Sequence, residues 1–291
     1  MLCISVILMI ITLIVTVTEN QDNSFRFEYG ECRMKYAVVT GGSKNDYDAI
    51  ATLIVNMTDI MPDLQADYII FHDGLSMQQQ QRLQKYHPVK FFRYKSPIPP
   101  LAALCCSSVR YFTPMLYCKY ECLQLLDTYD KVMWTDYDVV FKEDVSDLFD
   151  IDQKAVFVTN GQSKILDMFY TKYKKQAVRK LSGQHNLNAD AITTPLFLVS
   201  REIGNYMELY RWCNKATAKL FRYLEQSEQA IMSMMLQKFH VEYGELSNEV
   251  YALHPKFDNP QAKIVHAYGQ PKFWSGYYDE RWEKYHRMWK G

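Results

Sequence analysis

The chain has no surplus of either charge: 33 lysines and arginines face 33 aspartates and glutamates over 291 residues. No basic tract stands out, which removes the electrostatic footprint expected of a nucleic-acid partner. Repeats and low-complexity stretches are absent apart from the glutamine run Gln78–Gln81, which fits a helix. No paired C-x-x-C units occur, so the 7 cysteines do not spell a zinc site. Glycine is scarce, at 11 residues, and the scarcity matters at one place. Thr40-Gly41-Gly42-Ser43 joins an apolar run to a helix-like segment, a setting in which backbone N–H groups can meet a phosphate. A dinucleotide fingerprint demands further glycines, and the dehydrogenase spacing would put them at 45 and 47, where the chain has Asn45 and Tyr47. A Tyr170–Lys174 spacing of the kind dehydrogenases use is present, but a chain with 22 tyrosines produces such spacings by chance.

Residues 1–18 carry no charged side chain and are almost wholly apolar. That length lies between a signal-peptide core and a short membrane span. No Lys or Arg precedes the run, whereas Arg26 and Arg33 follow it. A cleaved signal peptide and an uncleaved signal anchor both fit, the second with membrane attachment. Either sends the remainder into the secretory pathway (Golgi or ER lumen, or secreted). We read residues 1–18 as that signal, 19–34 as a short stem, and 35–291 as one domain. Cys3 lies in the apolar run, which leaves Cys32, Cys105, Cys106, Cys118, Cys122 and Cys213. Six cysteines allow up to three disulfides in fifteen connectivities. Asn56-Met57-Thr58 is the one N-x-S/T sequon.

Apolar runs at Lys35–Thr40, Ala66–Gly74, Val89–Tyr94 and Lys131–Phe141 read as strands, with helical patterns at Asp46–Met57, Ser76–Lys85 and Tyr117–Leu126 between them. Further strand-like runs follow at Ala155–Thr159 and Ile192–Ser200, then helices at Glu202–Leu220 and Glu228–Phe239, and a short strand and aromatic-rich helix at the end. The alternation predicts an α/β fold with a mostly parallel sheet between helices, whose ligand lies beyond the carboxyl ends of the strands.

Two constellations carry chemistry. Asp136-Tyr137-Asp138 ends the buried run "KVMW". On an extended chain residues i and i+2 point the same way, so both carboxylates share one spot, and a divalent cation relieves their repulsion. Oxygen ligands suit Mg²⁺ or Mn²⁺, and a diphosphate completes the shell. The second is "HAYGQPKFW", His266 to Trp274. An imidazole beside carboxylates favours Mn²⁺. Gly269 permits close backbone approach, and Lys272 offers a point charge to a phosphate. The bland alternatives are a solvated turn for the aspartates and a hydrogen-bonded strand-end residue for His266.

"YDKVMWTDYDVVFKEDVSDLF" resembles the Y-D-K-hydrophobic-D-x-D…L-x-x-L-F segment of family-8 retaining glycosyltransferases, which include glycogenin, galactinol synthase, plant glucuronosyltransferases and bacterial lipopolysaccharide galactosyltransferases. "HAYGQPKFW" is similar to that family's H-x-x-G-x-x-K-P-W signature, with Phe273 at the proline position, and "SEQAIMSMML" to its D-Q-x-x-L-N helix start. The resemblance implies a GT-A fold, a UDP-sugar donor, and a Mn²⁺ ion held by Asp136, Asp138 and His266. It implies that Lys272 binds the diphosphate, that Lys119 contacts the donor, and that Gln229 lies beside the reacting face of the sugar, with Glu228 where the family has Asp. Thr40 and Tyr47 become candidates for the uridine, with Gly41 and Gly42 shaping a loop around the base. The family's F-N-x-G strand reads "ITTPLFLVS" here, so Thr193, Thr194 and Pro195 depart from the pattern. The expected activity is transfer of a hexosyl or hexuronosyl group to an acceptor hydroxyl on a carbohydrate, protein or lipid, with retention. The competing reading is a non-catalytic sugar-nucleotide or glycan-binding protein on the same fold.

Overall fold

The computed structural model describes residues 34–99, 102 and 106–291. The signal and stem segment through residue 33, with Cys3 and Cys32, and Cys105 lie outside them. Strand β1 (Tyr36–Gly42) pairs in parallel with β2 (Ala66–His72) and β4 (Lys131–Thr135), and β2 pairs in parallel with β3 (Val89–Arg93). On the other side of β4 runs antiparallel β7 (Asp190–Ser200), followed by β6 (Ala155–Lys164) and β8 (Gly244–Ser247). The seven-stranded order is β3-β2-β1-β4-β7-β6-β8. It is the predicted mostly parallel mixed sheet.

Alternation along the strands explains why both faces are covered. Ala37, Val39, Ile69, Phe71, Val132 and Trp134 enter one core, while Val38, Tyr68, Ile70 and Met133 enter the other. The first core packs against the helices Tyr206–Leu220 and Ser227–Lys238. The second packs against Tyr47–Ile60 and Glu280–Lys290. Local signals set the helix starts: Ser76 and Gln79 form a reciprocal capping box, and Asp279 caps Glu280–Lys290.

Two features differ from the expectation and place the site. The run "KVMWTDYDVVF" is not one strand. It breaks after Thr135, and Val139–Phe141 (β5) leaves the main sheet to pair with Ile264–His266 (β9) in a separate two-stranded sheet. The side chain of Asn56 fixes that departure, donating to the Phe141 carbonyl at 2.9 Å and accepting from its N–H at 2.7 Å. Asn56 is therefore buried and its sequon is not open to a glycan in the folded chain. Pro195, in turn, sits where β7 loses register with β6. Phe197 faces Phe157 and Thr193 faces Val158, so Thr194, Pro195 and Leu196 have no partner in β6, although Leu196 still faces Thr135 of β4. A bulge is the place inside a sheet where proline is tolerated and a side chain is re-aimed.

Free buried thiols correct the disulfide expectation. Cys118, Cys122 and Cys213 are free and lie in the first core, where burial pushes each thiol well above its usual pKa. They act as small apolar residues, so a three-disulfide framework is not made.

Candidate active site

The site forms at the carboxyl ends of β1 and β4, where the main sheet gives way to the small one. Asp136 and Asp138 stand on the bend between β4 and β5. They are not on an extended strand, as the i, i+2 argument supposed, yet the turn keeps them together. The bend is tied from both sides: Asp136 N–H donates to the Pro195 carbonyl at 2.8 Å, and Ala267 N–H to the Asp138 carbonyl at 2.9 Å. Antiparallel pairing of Val139 with His266 brings the imidazole across. One ligand atom each from Asp136, Asp138 and His266 lie within 4.8 Å of one another. Ligands at about 2–2.5 Å from one ion can be up to about 5 Å apart, so the three fit a single divalent cation.

Each carboxylate has its own lysine. Asp138 accepts from Lys272 Nζ, which also donates to the Ala267 carbonyl at 2.9 Å, and its Oδ1 lies 3.2 Å from His266 Nε2. Burial alone would raise the Asp138 pKa, but His266 and then Lys272 outweigh it and hold the carboxyl well below the usual range. Asp136 accepts from Trp134 Nε1 at 2.8 Å and from Lys119 Nζ at 2.9 Å. Lys119 Nζ also donates to the Thr194 carbonyl at 3.0 Å and hydroxyl at 3.1 Å, and lies 3.5 Å from Glu228 Oε1. Thr194 in turn donates to Glu228 Oε1 at 3.1 Å. Burial lowers the Lys119 pKa, yet Asp136 and Glu228 more than compensate and keep the ammonium charged. For Glu228, burial wins over Lys119 and its pKa is raised.

Four predicted residues thus converge on one side (Asp136, Asp138, His266 and Lys272) and two on the other (Lys119 and Glu228). Gln229 follows Glu228 in the first turn of its helix, with a buried Oε1 that has no hydrogen-bond partner. Gly269 has φ of 78° with no atom crowding a Cβ there, so backbone conformation is what demands glycine. Thr40 is buried at the end of β1, its hydroxyl also without a partner.

Tyr47 is the correction. It is only 7% exposed, its ring meets Trp289 edge-on at 5.5 Å, and its hydroxyl donates to the Gln79 carbonyl at 2.8 Å. Apolar helix packing has claimed the ring, and no face is left for a nucleobase. Gly41 and Gly42 likewise serve close packing instead of a loop. Both lie in β1, where a Cβ on Gly41 would sit 2.5 Å from Cys118 Sγ and one on Gly42 2.9 Å from the Tyr137 ring.

Sequence reasoning missed Trp134 and Thr194. The sequence places Trp134 in the apolar strand run and gives it no other role, although it stands two residues before Asp136, to which its Nε1 donates. In the sequence Thr194 stands out only as a departure from the family's strand pattern. A proline in mid-strand was the available signal that a bulge, and hence a re-aimed neighbour, was present.

The profile of glycosyl transferase family 8 matches residues 37–277. The chain belongs to that family. No curated protein sequence matches it. Solved structures similar to this family 8 glycosyltransferase share its GT-A fold. The bifunctional glycosyltransferase WbbM, in its apo form, aligns with a TM-score of 0.61 at 16% identity over 84% of this chain, which spans 48% of WbbM. The galactosyltransferase LgtC, in complex with donor and acceptor sugar analogs, aligns with a TM-score of 0.60 at 13% identity over 87% of this chain and 95% of LgtC. GlyE of Streptococcus pneumoniae aligns with a TM-score of 0.59 at 16% identity, covering 89% of this chain and 62% of GlyE.

Proposed function

We propose that this glycosyltransferase moves a hexosyl group from a UDP-sugar to an acceptor hydroxyl on a carbohydrate, protein or lipid, with retention of configuration and with Mn²⁺. The observation that carries the reading is the convergence of Asp136, Asp138 and His266 from two distant parts of the chain within 4.8 Å of one another. Two carboxylates and one imidazole form a donor set that suits Mn²⁺ better than Mg²⁺ or Ca²⁺. A divalent ion bound there supplies charge stabilisation to a departing diphosphate.

The chain's own residues do the rest. Lys272 lies on the rim and can turn its ammonium from Asp138 to a phosphate oxygen. Lys119 fixes Asp136 and ties it to Thr194 and Glu228. The buried Oε1 of Gln229, next to Glu228, has no protein donor and is the acceptor we assign to a sugar hydroxyl. The Lys119 ammonium is fully engaged by protein acceptors, so it is not free to receive a sugar carboxylate. This favours a hexosyl donor over a hexuronosyl one. Among the described residues no side chain is placed as a dedicated nucleophile, and retention fits front-face attack, the leaving phosphate taking the acceptor proton. The charge-free run at residues 1–18 supports delivery to the secretory pathway, by signal peptide or membrane anchor.

The test is a screen of UDP-sugars with the purified protein and Mn²⁺, following release of UDP and transfer to simple acceptors. Turnover of a neutral UDP-hexose that EDTA abolishes is the expected result. Binding of UDP-sugars with neither hydrolysis nor transfer would assign the chain to the non-catalytic reading.

A further inference from the structure

The burial of Tyr47 leaves the proposed donor without an aromatic surface for its base at the first helix. A different aromatic pair stands beside the cation site. Tyr137, between Asp136 and Asp138, turns its half-buried ring to the end of β1, where a Cβ on Gly42 would lie 2.9 Å from it. Burial, then the Asp46 and Asp138 carboxylates, push its phenol far above the usual value, so it remains neutral. Trp274 stacks on this ring with centroids 5.5 Å apart and planes 30° from parallel. The indole is 38% exposed although it belongs to a chain segment tied down on both sides: Lys272 N–H donates to Ser275 Oγ at 2.8 Å, and Tyr277 N–H to the Lys272 carbonyl at 2.9 Å.

The indole thus combines a fixed stacking partner, a partly open surface and a position two residues from Lys272. Burial of a large aromatic is favourable, and a rigid ring already fixed by one stacking partner loses little freedom when a second planar group lands on it. Resting on the donor reading above, we propose that Trp274, backed by Tyr137, is the stacking surface for the donor's nucleobase. The arrangement suits the ligand's layout. Diphosphate oxygens meet the cation ligands and Lys272, and the base extends from them toward the indole. A pyrimidine base has a π-face of the kind that stacks on aromatic side chains.

Calorimetry on the full chain with Mn²⁺ separates this assignment from its alternatives, with UDP and inorganic pyrophosphate as two titrants. Trp274→Ala should weaken UDP about tenfold and leave pyrophosphate within about twofold, since pyrophosphate has no base. Trp274→Phe should restore most of the UDP affinity. In the unmutated protein, with diamagnetic Mg²⁺ in place of Mn²⁺, the H5 and H6 proton signals of bound uracil should move upfield from ring current, a readout that does not depend on a variant folding. Equal losses for both titrants would make Trp274 a support for Lys272 and overturn the assignment. So would an unchanged UDP affinity, or base protons that do not shift while UDP binds. A wild-type protein that binds pyrophosphate but gains nothing from the uridine would overturn it too, leaving the cation site intact. Failure to bind either titrant would instead remove the donor reading and this assignment with it.

Discussion

Two lysines attend the two carboxylates of one three-residue turn, and they are held in opposite ways. Lys119 is sealed, its side chain 7% exposed, and its ammonium is spent on Asp136, Thr194 and Glu228. Lys272 sits on the rim with its side chain 16% exposed, held by Asp138 and the Ala267 carbonyl. Both aspartates are candidate cation ligands, but an ion that takes Asp136 leaves Lys119 the Thr194 oxygens and Glu228, so that ammonium stays a fixed part of the fold. An ion that takes Asp138 leaves Lys272 only the Ala267 carbonyl, and the freed ammonium can serve a ligand. The same pairing of lysine with aspartate thus yields a strut on one side of the turn and an exchangeable charge on the other.

The largest expected effect probes the exchangeable side. Asp138→Ala and His266→Ala should each lower kcat/KM for sugar transfer on the order of 10³-fold, the scale of losing several kcal/mol of charge stabilisation. If the two hold the same ion, the double variant should cost little more than either single one. Losses that multiply would show that they do not act on one ion. His266→Ala with unchanged Mn²⁺ affinity and a lowered Tm would reduce the imidazole to a strand-end hydrogen bonder.

The comparison itself breaks or holds on the two lysines. Lys272→Ala should lower turnover about 10²-fold, as for removal of one oxyanion donor, while Mn²⁺ binding and Tm persist. Lys119→Ala should instead destabilise the fold by about 3–5 kcal/mol, because it strands buried carboxylates, as read in urea unfolding. A variant pair with these outcomes exchanged would reverse the assignment of strut and exchangeable charge.

Removing metal sharpens the same point. UDP affinity should fall more than about tenfold in EDTA, since ion and diphosphate neutralise each other. Equal affinity with and without EDTA would count against the cation site. The smallest effect tests the frame. Asn56→Ala leaves the Phe141 N–H and carbonyl unpaired and should cost about 2 kcal/mol, and intact mass should show no glycan at Asn56. A glycosylated, fully stable protein would mean that β5 is not anchored there.

Much of this was legible in the sequence, for a physical reason. The carboxylates, the imidazole and Lys272 lie in dense local motifs whose residue types are dictated by charge. The parallel sheet is equally readable from alternating apolar runs and helices. What escaped was set by packing between segments far apart in the chain. Nothing local to Tyr47 says that Trp289 will cover it. The sequon at Asn56 reads as a surface signal until the helix is seen to turn it toward Phe141. The apparent flaw at Thr193–Pro195 becomes sensible only when β6 is placed alongside and the mismatch in register appears. Cysteine counting failed for a related reason, since three thiols are core filler, a role that spacing does not reveal.

The small sheet of β5 and β9 has a consequence for the order in which the molecule can be completed. Asp138 and Lys272 are 134 residues apart, and β9 supplies the one strand paired with β5 among the described residues. A nascent or truncated chain that stops before residue 264 can close strands β1, β2, β3 and β4 of the main sheet but lacks both His266 and Lys272. The bend that presents the aspartates then has no partner on one side, and Asp138 loses both His266 and Lys272 while Asp136 keeps Lys119. The candidate site is therefore incomplete until β9 and the segment carrying Lys272 have been made, and a polypeptide that stops short of them cannot bring its ligand set together.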